Sequence, residues 1–333
     1  MIPEWFRRAV PPADSSAAAP CIVAFGKHPA WDDHLNEEDP WPGCLRELKD
    51  WLYVRGISGC IDRGDWDPAT LGTAPSAFNH IIIWQRHAES VAAILWTSAD
   101  AKGRDQYPMV VAASVPRTTP RDAERAASHR SHESVLQIAL RHLARLRETC
   151  LTLRDPLPVL EAVRAASREF AAQVSVPPRT PTPVVLPSRQ VAGLSQILRG
   201  LTAGADVISR VAAHAARERS RARGVSGTVH QSTAIHLRVP ALARVGLGES
   251  GPAWVAVLRV LVEEGEPPTE AVSIEAPDQR VVDLLFGRPR PEHAALLGMP
   301  RSVEPTCDCV PAQEADESVQ RAVRHLLEGT GPA

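Results

Sequence analysis

The stretch Lys27–His34 holds Lys27, His28, Asp32, Asp33 and His34 within one short span. Two imidazoles with neighbouring carboxylates are donors that suit zinc, manganese or iron. The chemistry that follows would be metal-dependent hydrolysis, provided the lone pairs converge on one point. His28 and Asp32 are four apart and share a face if the segment coils into a helical turn, where Pro29 is tolerated. Asp33 and His34 are adjacent and point apart in any regular structure. The metal reading therefore reduces to His28, Asp32 and His34. The alternative is that Asp32 or Asp33 caps a helix beginning at Leu35.

Other chemistries have weaker sequence support. No Gly-x-Ser-x-Gly elbow is present, and Ser58 in Gly56-Ile57-Ser58-Gly59 lacks the flanking strand and helix. Cys60 has no basic partner nearby, and Cys307-Asp308-Cys309 lacks the spacing of a redox or zinc pair. Lys102-Gly103-Arg104 offers a glycine and two cations to an anion, but a solvated turn is its simpler reading. The basic run Arg217–Arg223 has no interleaved aromatics and contains Glu218, which argues against nucleic acid. Trp31 and Trp66 lie among charged residues in loops, where tryptophan serves either as an anchor for recognition or as a lid on the core.

These residues need a scaffold. Ile22–Phe25 is an apolar run ending at Gly26 and reads as a core strand, with Lys27–His34 as the loop at its end. Leu45, Leu48, Trp51 and Leu52 predict a short helix stopping near Gly56, and 57–68 a Gly- and Asp-rich connection. His80–Trp84 and Ser90–Trp96 form a hairpin, followed by a strand over Pro108–Ser114. Leu136–Leu146 and Val159–Phe170 carry helical periodicity, as do the stretches 191–201 and 207–215. Further on come strands at Ile235–Val239 and Ala271–Glu275, and helices at Trp254–Val262, Val281–Leu285 and Val319–Leu327. The organisation is a flexible tail over 1–20, an α/β domain over 21–175, a Pro-rich linker over 176–187, and a C-terminal α/β region over 188–333. That last region packs on or extends the first domain. Strands prone to antiparallel pairing with helices between them give an α+β fold, with a mixed or antiparallel sheet.

The chain has 333 residues and a formal net charge of −2, which gives no field to attract nucleic acid or an anionic membrane. Its 6 cysteines are scattered, and the first residues lack a secretory pattern. Reduced thiols and a cytoplasmic location are the expectation. No apolar run approaches the roughly 20 residues of a spanning helix, so membrane insertion is not expected, and no cofactor motif is found.

Phe25-Gly26-Lys27-His28-Pro29 followed by Asp33, then two strands, then Gly103-Arg104-Asp105-Gln106-Tyr107-Pro108 opening a third, resembles the TagF (ImpM) family of type VI secretion accessory proteins. Lys27, Pro29, Asp33, Gly103, Arg104 and Pro108 carry the resemblance, which covers roughly residues 20–116. Trp31-Asp32 stands where the family usually has Arg-Gly, and His34 where an aromatic is usual. The resemblance implies a longin-like layered sheet and a cytoplasmic, non-enzymatic regulator. Such a protein would restrain or tune assembly of the secretion machine through a scaffold with a forkhead-associated domain. Under it, Lys27, Asp33 and Arg104 brace the loops. The contact surface would draw on His28, Trp31, Asp32, His34, Trp66 and Tyr107.

Overall fold

A computed structural model of the chain describes residues 19–36, 41–64, 78–86, 89–116, 132–175, 235–241, 248, 250–255, 270–276 and 281–298. Eight strands form one sheet: β1 (Cys21–Lys27), β2 (His34–Asn36), β3 (Asn79–Gln85), β4 (Glu89–Thr97), β5 (Pro108–Pro116), β6 (Ile235–Pro240), β7 (Ala271–Glu275) and β8 (Val281–Phe286). Their order is β2-β1-β5-β4-β3-β7-β8-β6. Every pairing is antiparallel, and with the helices this makes an α+β fold. β7 pairs with β3, placing Ala271 opposite Gln85, so strands from the last third continue the sheet begun by the first.

Ile81-Ile82-Ile83 and Val91–Leu95 show no polar alternation because helices cover both faces of the sheet. On one face lie α1 (Gly43–Leu48), a π-helix (Lys49–Ile57) and α2 (Ser58–Arg63), which form one unbroken helical run, and a 3-10 helix (Pro291–Gly298). Leu45, Leu48, Trp51 and Leu52 pack there against Val23, Phe25, Ile82 and Trp84. On the other face α3 (His132–Thr152) and α4 (Pro156–Ser175) set Leu136, Leu143, Val163 and Phe170 against Ile81, Ile83, Ile94 and Val111.

Several expectations need correction. Gly56 does not end the first helix: it sits inside the run, where an added Cβ would lie 2.4 Å from the Trp51 carbonyl and 2.7 Å from Ala294. It is the point of close approach to the 3-10 helix, and the helical run takes in residues expected to form a connection. Leu35 begins no helix: His34–Asn36 pairs with β1 as an edge strand. Val281–Leu285 is strand β8, not a helix. Val281, Val282, Leu284 and Leu285 are all buried between β7 and β6, so apolar positions on both faces mimic a helical spacing. Buried Asp283 is tolerated within it because Arg238 Nε and Nη2 donate to its two oxygens at 2.8 and 2.7 Å. The tail up to residue 18, the Pro-rich linker, the helical patterns at 191–215 and 319–327, and Trp66 lie outside the described residues.

Candidate functional site: a braced double loop

Gly26, at the end of strand β1, begins the site. Its φ of +117° and its approach to β5 leave no room for a side chain: a Cβ would lie 2.2 Å from the Pro108 carbonyl oxygen. This contact brings the end of β1 against the start of β5, and with it the loop 28–33 against the loop 98–107. The first loop folds back through Trp31 N–H to the His28 carbonyl at 3.0 Å, and the two loops join where Ala101 N–H donates to the Trp31 carbonyl at 2.8 Å.

Lys27, 3% exposed, points between the loops. Its Nζ donates to Asp33 Oδ1 at 2.7 Å and to Asp100 Oδ2 at 2.8 Å. Asp100 is the hub. Its Oδ1 accepts from the Lys102 and Arg104 amides, each at 3.0 Å, and its Oδ2 also accepts from Arg104 Nε at 2.7 Å. Burial raises the acidity threshold of this carboxyl, but Lys27, Arg104 and the two amides outweigh it and hold the group well below the usual carboxylate range. Gly103, with φ +77°, closes the turn around it. Arg104 Nη2 reaches back to the Asp32 carbonyl at 2.6 Å and lies 3.5 Å from Asp33 Oδ1. Lys102 Nζ lies 3.7 Å from Asp32 Oδ2. Lys27 lowers the Asp33 carboxyl as well.

His34 Nδ1 donates to Asp33 Oδ1 at 2.7 Å. The His34 ring meets Tyr107 and Tyr53 edge-on at 5.2 and 5.8 Å. Burial, then Lys27, keep it below the ordinary imidazole value. His28 lies elsewhere: Ala30 N–H donates to its Nδ1 at 3.1 Å, and its Nε2 donates to the Cys150 carbonyl at 3.0 Å.

The structure thus brings Lys27, Asp32, Asp33, His34, Arg104 and Tyr107 together, with Trp31 half-buried beside them against His28 and the core under α3 and α4. It does not gather His28, Asp32 and His34 into a ligand set. Both His28 nitrogens are engaged away from the loop carboxylates, and among the described residues no group of three His, Cys, Asp or Glu side chains is placed to hold a metal ion. Sequence reasoning missed Asp100 and Tyr53. Asp100 carries one usable signal, an aspartate at the head of Asp-Ala-Lys-Gly-Arg, where its side chain can accept the amides of the turn. Tyr53 has none, being one apolar position on the π-helix.

Two of the described thiols, Cys44 and Cys150, are buried and held protonated. Burial pushes the Cys150 thiol up to about 11 and raises Cys44 still further. At pH 8, a thiol reagent is expected to leave Cys44 and Cys150 unmodified until the protein is denatured. Peptide mapping of labelled protein checks this.

No family model and no curated protein matches the chain. Among solved structures, the crystal structure of PA0076 from Pseudomonas aeruginosa PAO1 is similar at 18% identity, over 53% of this chain and 76% of that one, with a TM-score of 0.31. No described helix is long and apolar enough to cross a membrane.

Proposed function

We propose that this chain is a divergent TagF-like accessory protein of a type VI secretion system, which acts by contact with a protein partner to restrain or tune assembly. The observation that supports this reading is the double loop. The residues that carry the resemblance lie far apart in sequence, yet Lys27 and Arg104 meet on the same two carboxylates, Asp33 and Asp100. A loop fixed by a buried lysine presents its outer residues with little ordering entropy left to lose, which favours tight contact. Those residues are the exposed Asp32, Asp33, Lys102 and Arg104, with the half-buried Trp31 between them and the core. Close by, Leu151 and Leu157 are the exposed large hydrophobic side chains among the described residues, at the turn between α3 and α4. The partner proposed is a scaffold with a forkhead-associated domain, in the cytoplasm.

The test is binding of the purified chain to such a scaffold from its own secretion cluster. Trp31→Ala is expected to weaken binding by about tenfold or more in a chain that stays folded under the assay conditions, although it also loses packing against His28 and the core. Arg104→Ala is expected to lower binding and stability together, since its guanidinium ties the two loops. No binding by the wild-type chain, or binding indifferent to both substitutions, would overturn the reading. Elemental analysis separates it from a metal-dependent hydrolase: a stoichiometric transition metal lost in a His28→Ala, His34→Ala variant would favour the enzyme.

A further inference from the structure

His28 joins two parts of the surface that are distant in sequence. It is 1% exposed. Through Nε2 it is tied to the carbonyl of Cys150 near the C-terminal end of α3, and through Nδ1 to the amide of Ala30 in the loop. Its ring packs edge-on against Trp31 at 5.4 Å, and its carbonyl accepts the Trp31 amide. This pattern admits only the neutral Nε2–H tautomer, because Nδ1 must keep its lone pair for Ala30. Both nitrogens of an imidazolium are donors. Of the two neighbours, the Cys150 carbonyl can accept and the Ala30 amide cannot. Protonation therefore sets two donors against each other at the root of the Trp31 turn.

We propose that His28 is a proton-released latch, holding the Trp31 loop against the α3–α4 hairpin while its ring is neutral and freeing that loop when Nδ1 gains a proton. The surroundings oppose a second positive charge. Arg154, in the α3–α4 connection, is the charged group that acts on the ring. Lys27, next in the chain, is turned into the Asp33–Asp100 pair. The Cys150 thiol stays protonated and neutral. Burial first, then Arg154, hold the folded imidazole below its ordinary value of 6.5, and the Cys150 carbonyl acts the other way. A histidine depressed on folding stabilises the native state above the unfolded value. That contribution is lost as pH falls below 6.5 toward the folded value, so the latch opens on the acid side. For the contact surface, and resting on the function proposed above, Trp31 is presented in one pose at neutral pH and released in acid.

The experiment uses the full chain without a partner. Nitrogen NMR of the His28 ring is followed from about pH 7.5 to about pH 4.5, beside amide-exchange protection at Ala30, Trp31 and, as an internal reference, Ala112 in β5. Ala30 and Trp31 are expected to lose protection about tenfold in step with the ring, while Ala112 holds. The step should vanish in His28→Gln. A ring that titrates with no change at Ala30, a ring that stays neutral across the range, or a step that survives in His28→Gln would each overturn the latch. If His28→Gln does not fold, the correspondence of ring and amides in the wild type decides. Failure here leaves scaffold binding untouched, and failure of scaffold binding leaves the latch standing.

Discussion

Gly26→Ala is expected to remove much of the protein's stability while leaving it able to fold. Two costs coincide at this position. A φ of +117° is strained for any L side chain, which alone costs about 1–3 kcal/mol. The methyl group would also lie 2.2 Å from the Pro108 carbonyl oxygen and 3.0 Å from Met109 Cα, backbone atoms that cannot swing aside. Relief requires β1 to part from β5 where Gly26 pairs with Met109, which loosens both loops. Together these place the substitution at about 4 kcal/mol, a large part of the stability of an ordinary domain. Gly103→Ala is the matched control. Its φ is also positive, at +77°, but nothing lies within 4 Å of the added carbon. Only the conformational cost of about 1 kcal/mol remains. Denaturant unfolding of the two variants checks the contrast; equal losses would show that the contact with Pro108 is not the cause.

Lys27→Met should lower stability by about 3 kcal/mol near neutral pH. Methionine fills similar space, so the loss comes from charge: Asp100 and Asp33 lose the cation they share, and Asp100 keeps only Arg104 and two amides. The pH dependence identifies the cause. In the wild type both carboxyls titrate below the ordinary 3.8. They therefore contribute stability above that value, which is lost as pH falls through their folded values. The variant has less of this to lose, so its deficit should narrow in acid. Unfolding of both proteins at neutral pH and near pH 2 measures it, and a deficit of constant size would point to packing instead. Asp33→Asn should cost less than Asp100→Asn, because the Asp33 side chain is 64% exposed and that of Asp100 is fully covered.

Much of this arrangement is legible in the amino-acid order, and the rest is hidden for physical reasons. Strand β1, the β3–β4 hairpin, β5, α3 and α4 follow from unbroken apolar runs and from helical spacing. β8 does not, since Asp283 interrupts its apolar run and leaves Val281, Leu284 and Leu285 at a helix-like spacing. The π-helix escapes because Gly56 signals a stop when read locally, whereas it serves close packing against Ala294. Within the site, Lys27 and Arg104 are visible as charged residues beside glycines, and Asp33 within the polar cluster that follows Lys27. Asp100 lies 73 positions from Lys27, and only the pairing of β1 with β5 and of β5 with β4 brings it to the lysine. Geometry does not gather the proposed metal ligands among the described residues. Residue types suit a cation, but one imidazole is turned to α3 and the other to Tyr53 and Tyr107.

The pairing of β3 with β7 also bears on how the protein is made. Translation delivers β1, β3, β4 and β5 early, and these can associate on leaving the ribosome. The outer backbone of β3 then presents unpaired amides and carbonyls until residue 271 emerges. At about 5–20 residues per second that interval lasts on the order of ten seconds or longer. During it, the nascent chain carries an open strand of three isoleucines, a template for pairing with a neighbour on the same polysome. Slow stretches of message between β5 and β7 would lengthen the exposure, and a chaperone that shields extended apolar segments would have its greatest effect there.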